Sequence, residues 1–210
     1  MQQRMPIAGL HIDQTAELIH LHSDAMMSCL SSAVLGGGFR RVRDLINAQV
    51  AQDYCSQDPV ADLRAIARRR GIDGPFVGLL TAVPMHKVRS VFAETAGLGV
   101  GAVVTAGLAN ATCVGISPPH GQAPGTINII VLIDGRLTRA AMVNAVITAT
   151  EAKTAALAGL GLTTPEGLPA TGTSTDTVTV VSTGRGARHS YAGPATVPGW
   201  LIGRCVREAL

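Results

Sequence analysis

The sequence predicts an α/β fold of the α+β kind: one domain with a mixed β-sheet, packed by about three helices and carrying glycine-rich loops. Three observations lead there. Thr126 to Asp134 is an almost unbroken apolar run, as expected of a strand covered on both faces. Leu137 to Ala158 has no glycine and no proline and is built of strong helix formers. Several further short β-branched runs are separated by Gly- and Pro-rich stretches. With 210 residues and no evident linker or repeat, the chain reads as a single domain over 1–210.

In chain order, Ile7 to Ile12 and Glu17 to His22 predict a short hairpin around Asp13-Gln14. His20, His22 and Asp24 alternate on its second strand and so share a face. This is either a solvated strand face or the start of a metal site, and His86, His120 and His189 add no second ligand cluster. Ser28 to Phe39 contains Gly36-Gly37-Gly38, where backbone can turn freely and approach a ligand closely. Asp58-Pro59 opens a helix, Asp as N-cap and Pro in the first turn, running to about Arg70 before Gly71. Phe76 to Val83 is a strand, and Val88 to Ala93 is expected beside it. His86 and Lys87 lie between them, solvating a turn or touching a ligand. Val100 to Leu108 is a buried strand with Asn110 just past its end. Pro118 to Pro124 is a rigid loop feeding the central strand.

On that strand Thr126 and Asn128 are the polar side chains before Asp134, and their spacing puts them on one side. Asp134-Gly135 is a turn. The helix after it, stopped by Gly159, shows two partly apolar faces. One carries Ala140, Asn144, Ile147, Thr148, Glu151 and Ala158. The other carries Met142, Val146, Ala149, Lys153 and Leu157. The helix is therefore expected to be sandwiched. Asn144, Thr148 and Glu151 form a polar stripe, read either as a satisfied or solvated row or as the wall of a pocket. After a Gly/Thr/Pro connection, Ala170 to Thr177 packs glycine, hydroxyls and Asp176 together, and Val178 to Ser182 continues as a strand. The loop lacks the GK[ST] ending of a Walker motif. It reads as a Thr-rich turn capped by Asp176, or as an oxyanion site beside an acid. Gly184 to Pro198 is a loop carrying Arg185, Arg188, His189 and Tyr191, and a helix from about Trp200 to Ala209 closes the chain.

Composition narrows the function. Charge is +3 and aromatics are 3%, so neither the field nor the stacking platforms of a nucleic-acid binder are present. Arg40, Arg41 and Arg43, and Arg64 with Arg68 to Arg70, read as solvated clusters. Cys29, Cys55, Cys113 and Cys205 show no CxxC spacing, which fits reduced thiols in the cytoplasm. The N-terminal residues lack an apolar signal core. Thr95 to Pro119 is uncharged and long enough to span a membrane, but five glycines, Asn110 and several threonines make it a buried strand and loop.

GTINIIV (125–131), AMVNAVITATEAK (141–153), ATGTSTDTVTV (170–180) and YAGPATVPGWLIG (191–203), in that order, resemble the adenosylcobinamide amidohydrolase family. The Gly36–Gly38 segment and VTAGLANA (104–111) resemble it more loosely. The resemblance implies hydrolysis of the amide joining the aminopropanol arm to the corrin ring, releasing adenosylcobyric acid. The corrinoid is then the substrate, no cofactor is required, and no metal ligand is assigned. Gly36 and Gly37 carry over as substrate-loop residues.

Amide hydrolysis needs a nucleophile, a base, donors for the oxyanion and an acid for the leaving amine. No GxSxG elbow or recognisable cysteine nucleophile is present. Within the family-like motifs, Glu151 and Asp176 are the candidate water-activating carboxylates. Thr173, Thr175 and Asn128 are the candidate carbonyl-binding groups, with a threonine nucleophile as a variant. Thr126, Asn144, Gly172 and Tyr191 complete the expected substrate-binding set. Lys153 falls opposite Glu151 on the helix and is assigned to structure ahead of chemistry. Asp176→Asn is expected to abolish turnover and leave folding intact. Two other readings stay open: a metal-dependent hydrolase of another small amide resting on His20, His22 and Asp24, and a non-catalytic corrinoid-binding protein. A homo-oligomer also stays open.

Overall fold

The computed structural model describes residues 6–119 and 125–210. The predicted Pro118–Pro124 loop, with His120, falls largely outside them. The strands are β1 (Leu10–Gln14), β2 (Leu18–Ser31), β3 (Gly38–Gln49), β4 (Phe76–Thr81), β5 (Arg89–Thr95), β6 (Leu98–Ala106), β7 (Ala111–Thr112), β8 (Ile127–Ile133), β9 (Arg136–Leu137), β10 (Gly172–Thr173), β11 (Thr177–Ser182) and β12 (Arg188–His189). The helices are α1 (Pro59–Arg69), α2 (Arg139–Gly159) and α3 (Val197–Ala209).

Eight strands form one mixed sheet in the order β4-β3-β2-β11-β8-β6-β5, with β1 added to β2. The β11–β8 and β3–β4 pairs are parallel and the others antiparallel. β2 serves two neighbours on one edge: its first half pairs with β1 and its last four residues with β11. Its register against β3 shifts between His22 and Met27, the kind of bulge that bends a strand. Every residue of β8 is buried, as its apolar run predicts.

The sheet curls, and period two sorts its residues between two cores. Ile127, Ile129, Val131 and Ile133 pack with Val100, Ala102, Val104 and the inner faces of α2 and α3. Ile130, Leu132, Val103 and Val181 face the other way. They meet Met27, Leu45, Leu79 and Ile12 from the opposite half of the same sheet. The inner face thus closes on itself as a half-barrel. α1 covers the outside of β2 and β3, through Leu63 and Ala67 against Leu18 and Ile46.

Several elements differ from the sequence expectation. The first hairpin turns at Thr15–Glu17, not Asp13-Gln14. The segments predicted as neighbours, β4 and β5, occupy opposite edges of the sheet. The 3-10 turn Met85–Lys87 buries Met85 and starts the crossing between them. α2 runs one residue past Ala158, and Gly161, at φ 65°, takes the left-handed position assigned to Gly159. α2 is not sandwiched: Val143 and Ile147 are half exposed, and Glu151 and Ala158 are exposed. The polar stripe divides accordingly. Thr148 is buried and donates to the Ala192 carbonyl (2.8 Å), while Asn144 is half-buried. Among the described residues, no helix is long and apolar enough to cross a membrane.

Candidate active site

The site follows from where the inner face of the half-barrel stops being apolar. At one end of the sheet, the inward positions of six strands change to hydroxyls and amides. These are Ser31 on β2, Asn47 on β3, Thr81 on β4, Thr105 on β6, Asn128 on β8 and Thr179 on β11, all buried. Buried polar side chains persist only where partners satisfy them. Ser31 and Thr179 hydrogen-bond across β2 and β11 (2.7 Å). Asn128 Nδ2 donates to Asn47 Oδ1 (3.0 Å) and to the Leu80 carbonyl (2.8 Å). Asn47 Nδ2 donates to Thr105 Oγ1 (3.1 Å).

Above this layer opens a cavity of about 480 Å³, a volume suited to a small-molecule group. Thr126, Asn128, Thr175 and Thr177 line one side, with Thr81 and Leu79 from β4. The segment from Val50 to Ser56 forms the opposite wall and brings Asp53 and Cys55 to it. That wall is tied to α1. The Tyr54 hydroxyl donates to Asp62 (2.7 Å). Burial and this carboxylate push the Tyr54 hydroxyl up, while hydrogen bonds from Ser56 and Tyr54 hold the Asp62 carboxyl down.

Behind the cavity sits the one ion pair joining α2 to the sheet among the described residues. Lys153 donates from α2 to Asp176, their side chains 9% and 15% exposed. Asp176 also accepts from the Thr173 hydroxyl and amide and from the Ile127 amide (3.1 Å). Both carboxylate oxygens are therefore engaged. The pair holds the starts of β8 and β11 side by side, where Thr126 and Thr175 reach the cavity. Gly172 lies under it, where a Cβ would overlap both Asp176 and Lys153.

The expected site residues divide by position. Thr126, Asn128 and Thr175 are brought together at the cavity. Asp176, Thr173 and Gly172 stand directly behind them. Gly36 and Gly37 shape the loop that puts Val34 at the cavity, each with backbone too close for a Cβ. Glu151 is exposed and outside the lining. Asn144 lies nine residues before Lys153 on α2, about 13 Å along the axis. Tyr191 is 71% exposed, next to β12, which pairs with β9 beyond the far end of β8. His20 pairs with Asp44 (2.8 Å), His22 with Asp13 and His11 with Asp24. Among the described residues no group of three His, Cys, Asp or Glu is set to hold a metal ion.

Sequence reasoning passed over Asn47, Thr105, Asp53 and Cys55, and it set Lys153 apart from the chemistry. A signal existed for Asn47 alone: a lone amide inside the apolar run LINA. For the cysteines the structure makes a clear expectation. Burial pushes the Cys29 thiol up to about 12 and the Cys205 thiol up to about 11, and Cys113 is also buried. Iodoacetamide should modify Cys55 alone in the native protein, as read by peptide mass spectrometry; labelling of Cys29 would contradict the packed inner face.

Comparison with known proteins adds the following. A model of the adenosylcobinamide amidohydrolase family matches residues 4–210. An adenosylcobinamide amidohydrolase of Methanosarcina mazei is 36% identical over 149 residues, 71% of this chain and 66% of that protein. One from Halobacterium salinarum is 35% identical over 118 residues, 53% of this chain and 48% of that protein. The chain thus spans about half to two thirds of the length of these curated relatives. The crystal structure of the PH0078 protein from Pyrococcus horikoshii superposes with a TM-score of 0.51 at 13% identity, covering 97% of this chain and 83% of that one, a likeness of fold alone.

Proposed function

Because the chain belongs to the adenosylcobinamide amidohydrolase family, we propose that it hydrolyses the amide joining the aminopropanol arm to the corrin ring of adenosylcobinamide, giving adenosylcobyric acid and 1-amino-2-propanol, a step of cobalamin salvage. The observation that carries this reading is the layer of amide and hydroxyl groups opening into the cavity at Thr126, Asn128 and Thr175. A corrinoid is larger than 480 Å³. The amide arm therefore enters while the macrocycle rests over the mouth, against a wall of small side chains and backbone.

Water is the nucleophile in this proposal. Asp53 is the carboxylate that lines the cavity, and it takes the proton as the water oxygen attacks the carbonyl carbon. The hydroxyls of Thr126 and Thr175 now donate to backbone carbonyls across the gap between 125 and 175 (2.8 and 2.9 Å). Turned inward, they meet the developing oxyanion. The proton held by Asp53 passes to the amine as the C–N bond breaks. Asp176, with Lys153 and Thr173, positions the threonines rather than touching the reacting atoms. No cofactor enters the proposed reaction.

The test is incubation of metal-stripped protein with adenosylcobinamide, followed by mass spectrometry for loss of aminopropanol. Conversion is expected, with Asp53→Asn at least about a hundredfold slower, the usual contribution of a general base. Conversion that requires an added divalent metal would replace the Asp53 assignment. Binding without conversion under either condition would overturn hydrolysis.

A further inference from the structure

The hydrogen bonds beneath the cavity have a direction, and the Leu80 carbonyl sets it. That oxygen can only accept, so the Asn128 atom 2.8 Å from it is the amide nitrogen. The second hydrogen of the same nitrogen goes to Asn47 Oδ1 (3.0 Å). Asn47 then faces Thr105 with its own NH2 (3.1 Å). Both donors of Asn128 are thereby used inside the protein. What it offers the cavity is Oδ1, an acceptor. Its neighbour there is the Thr126 hydroxyl at 3.3 Å. That hydroxyl has one proton and a shorter bond to the Thr175 carbonyl, at 2.8 Å. Asn128 is 1% exposed, so its oxygen meets little solvent. A buried acceptor with a weak donor gains most from a ligand that brings an N–H.

From this we infer that Asn128 recognises the N–H of the secondary amide to be cleaved, through its carbonyl oxygen, and that Asn47 is the positioning residue that keeps the oxygen turned toward the cavity. The inference rests on the hydrolysis proposed above and makes the site selective for an amide over an ester of the same shape. It also changes the expected role of Asn128, which has no hydrogen left to give an oxyanion.

The experiment compares adenosylcobinamide with the analogue whose scissile amide nitrogen is replaced by an ester oxygen. In the wild-type protein, the ester analogue should have a KM at least about tenfold higher than the amide, the effect of one hydrogen bond to a buried polar group. Asn128→Leu should remove this preference, bringing the amide and ester KM values together. Asn47→Leu should reduce the preference, and Asn47→Asp, which keeps an acceptor facing the Asn128 nitrogen, should restore most of it. Equal KM values for amide and ester in the wild-type protein overturn the inference without any variant having to fold. A preference that survives Asn128→Leu overturns it too. If adenosylcobinamide is not hydrolysed at all, the function itself fails and the inference falls with it; hydrolysis without amide preference removes the inference alone.

Discussion

Asp176→Ala should destabilise the protein by about 3–5 kcal/mol, the usual cost of removing one partner of a buried ion pair. Lys153, its side chain 9% exposed, would lose its counter-ion. The Thr173 amide and hydroxyl and the Ile127 amide would lose their acceptor in the same step. Asp176→Asn is milder in shape but not in charge. It still leaves the ammonium uncompensated, so the expectation from sequence that this variant folds normally gives way to one of measurable destabilisation. Activity should fall as well, since the pair fixes the strand starts that carry Thr126 and Thr175. A urea titration followed by far-UV circular dichroism measures the effect. The double variant Lys153→Met, Asp176→Leu separates its two causes. Replacing a whole buried pair by apolar groups is often close to neutral, so the double variant should be more stable than Asp176→Ala while remaining poorly active. An Asp176→Ala protein within about 1 kcal/mol of wild type would show that the pair does not hold these strands.

Much of this architecture was readable where burial is two-sided or strictly periodic. β8 could be recognised because a strand buried on both faces has no polar face to interrupt its apolar run. The shared side of Thr126 and Asn128 followed from period two. α1 announced itself through Asp58-Pro59, and Asp58 does accept from the Ala61 amide (2.9 Å). Strand order was not readable. Pairing is decided between segments far apart in sequence, and nothing local in Val88 to Ala93 says that its partner is β6 rather than β4. The faces of α2 were obscured by alanine, which is small enough to sit equally well inside or outside. The face of Met142, Val146, Ala149, Lys153 and Leu157 is the one that packs, while Ile147, on the other, is half exposed. For Lys153, assigned to structure ahead of chemistry, the partner was not legible: angular position on a helix gives the face, but not what a long side chain reaches 23 residues further on. The Asp53–Cys55 wall had no signature, because only tertiary folding carries that irregular segment over the cavity.

Gly199→Ala should be the other severely damaging change, and it lies away from the cavity. A Cβ there would overlap the carbonyl oxygen and carbon of Gly193 and crowd the carbonyl oxygen of Ala192, all backbone. The Gly193 oxygen cannot move aside freely, because it accepts from the Thr196 amide (2.9 Å) and hydroxyl (2.8 Å). The Ala192 carbonyl is held by Thr148 of α2. Relief requires α3 to back away from a core in which Leu201, Ile202, Cys205 and Val206 are fully buried. The cost should be about 3 kcal/mol or more, at the upper end for overpacking. Yet kcat/KM per folded molecule should be unchanged, since neither Gly193 nor Gly199 lines the cavity and Ala192 packs against Thr148 of α2, on the other face of the sheet from Asn128. Tyr191→Ala, in the same segment, should alter stability by less than about 0.5 kcal/mol, as exposed substitutions do, and should leave turnover intact. Together the two variants ask what the segment YAGPATVPGWLIG does. Loss of stability in the first and full activity in both would mean that it docks α3 onto the sheet. A Tyr191→Ala protein with raised KM would instead bring the far end of the sheet into substrate binding, and the cavity would then hold only part of the bound corrinoid.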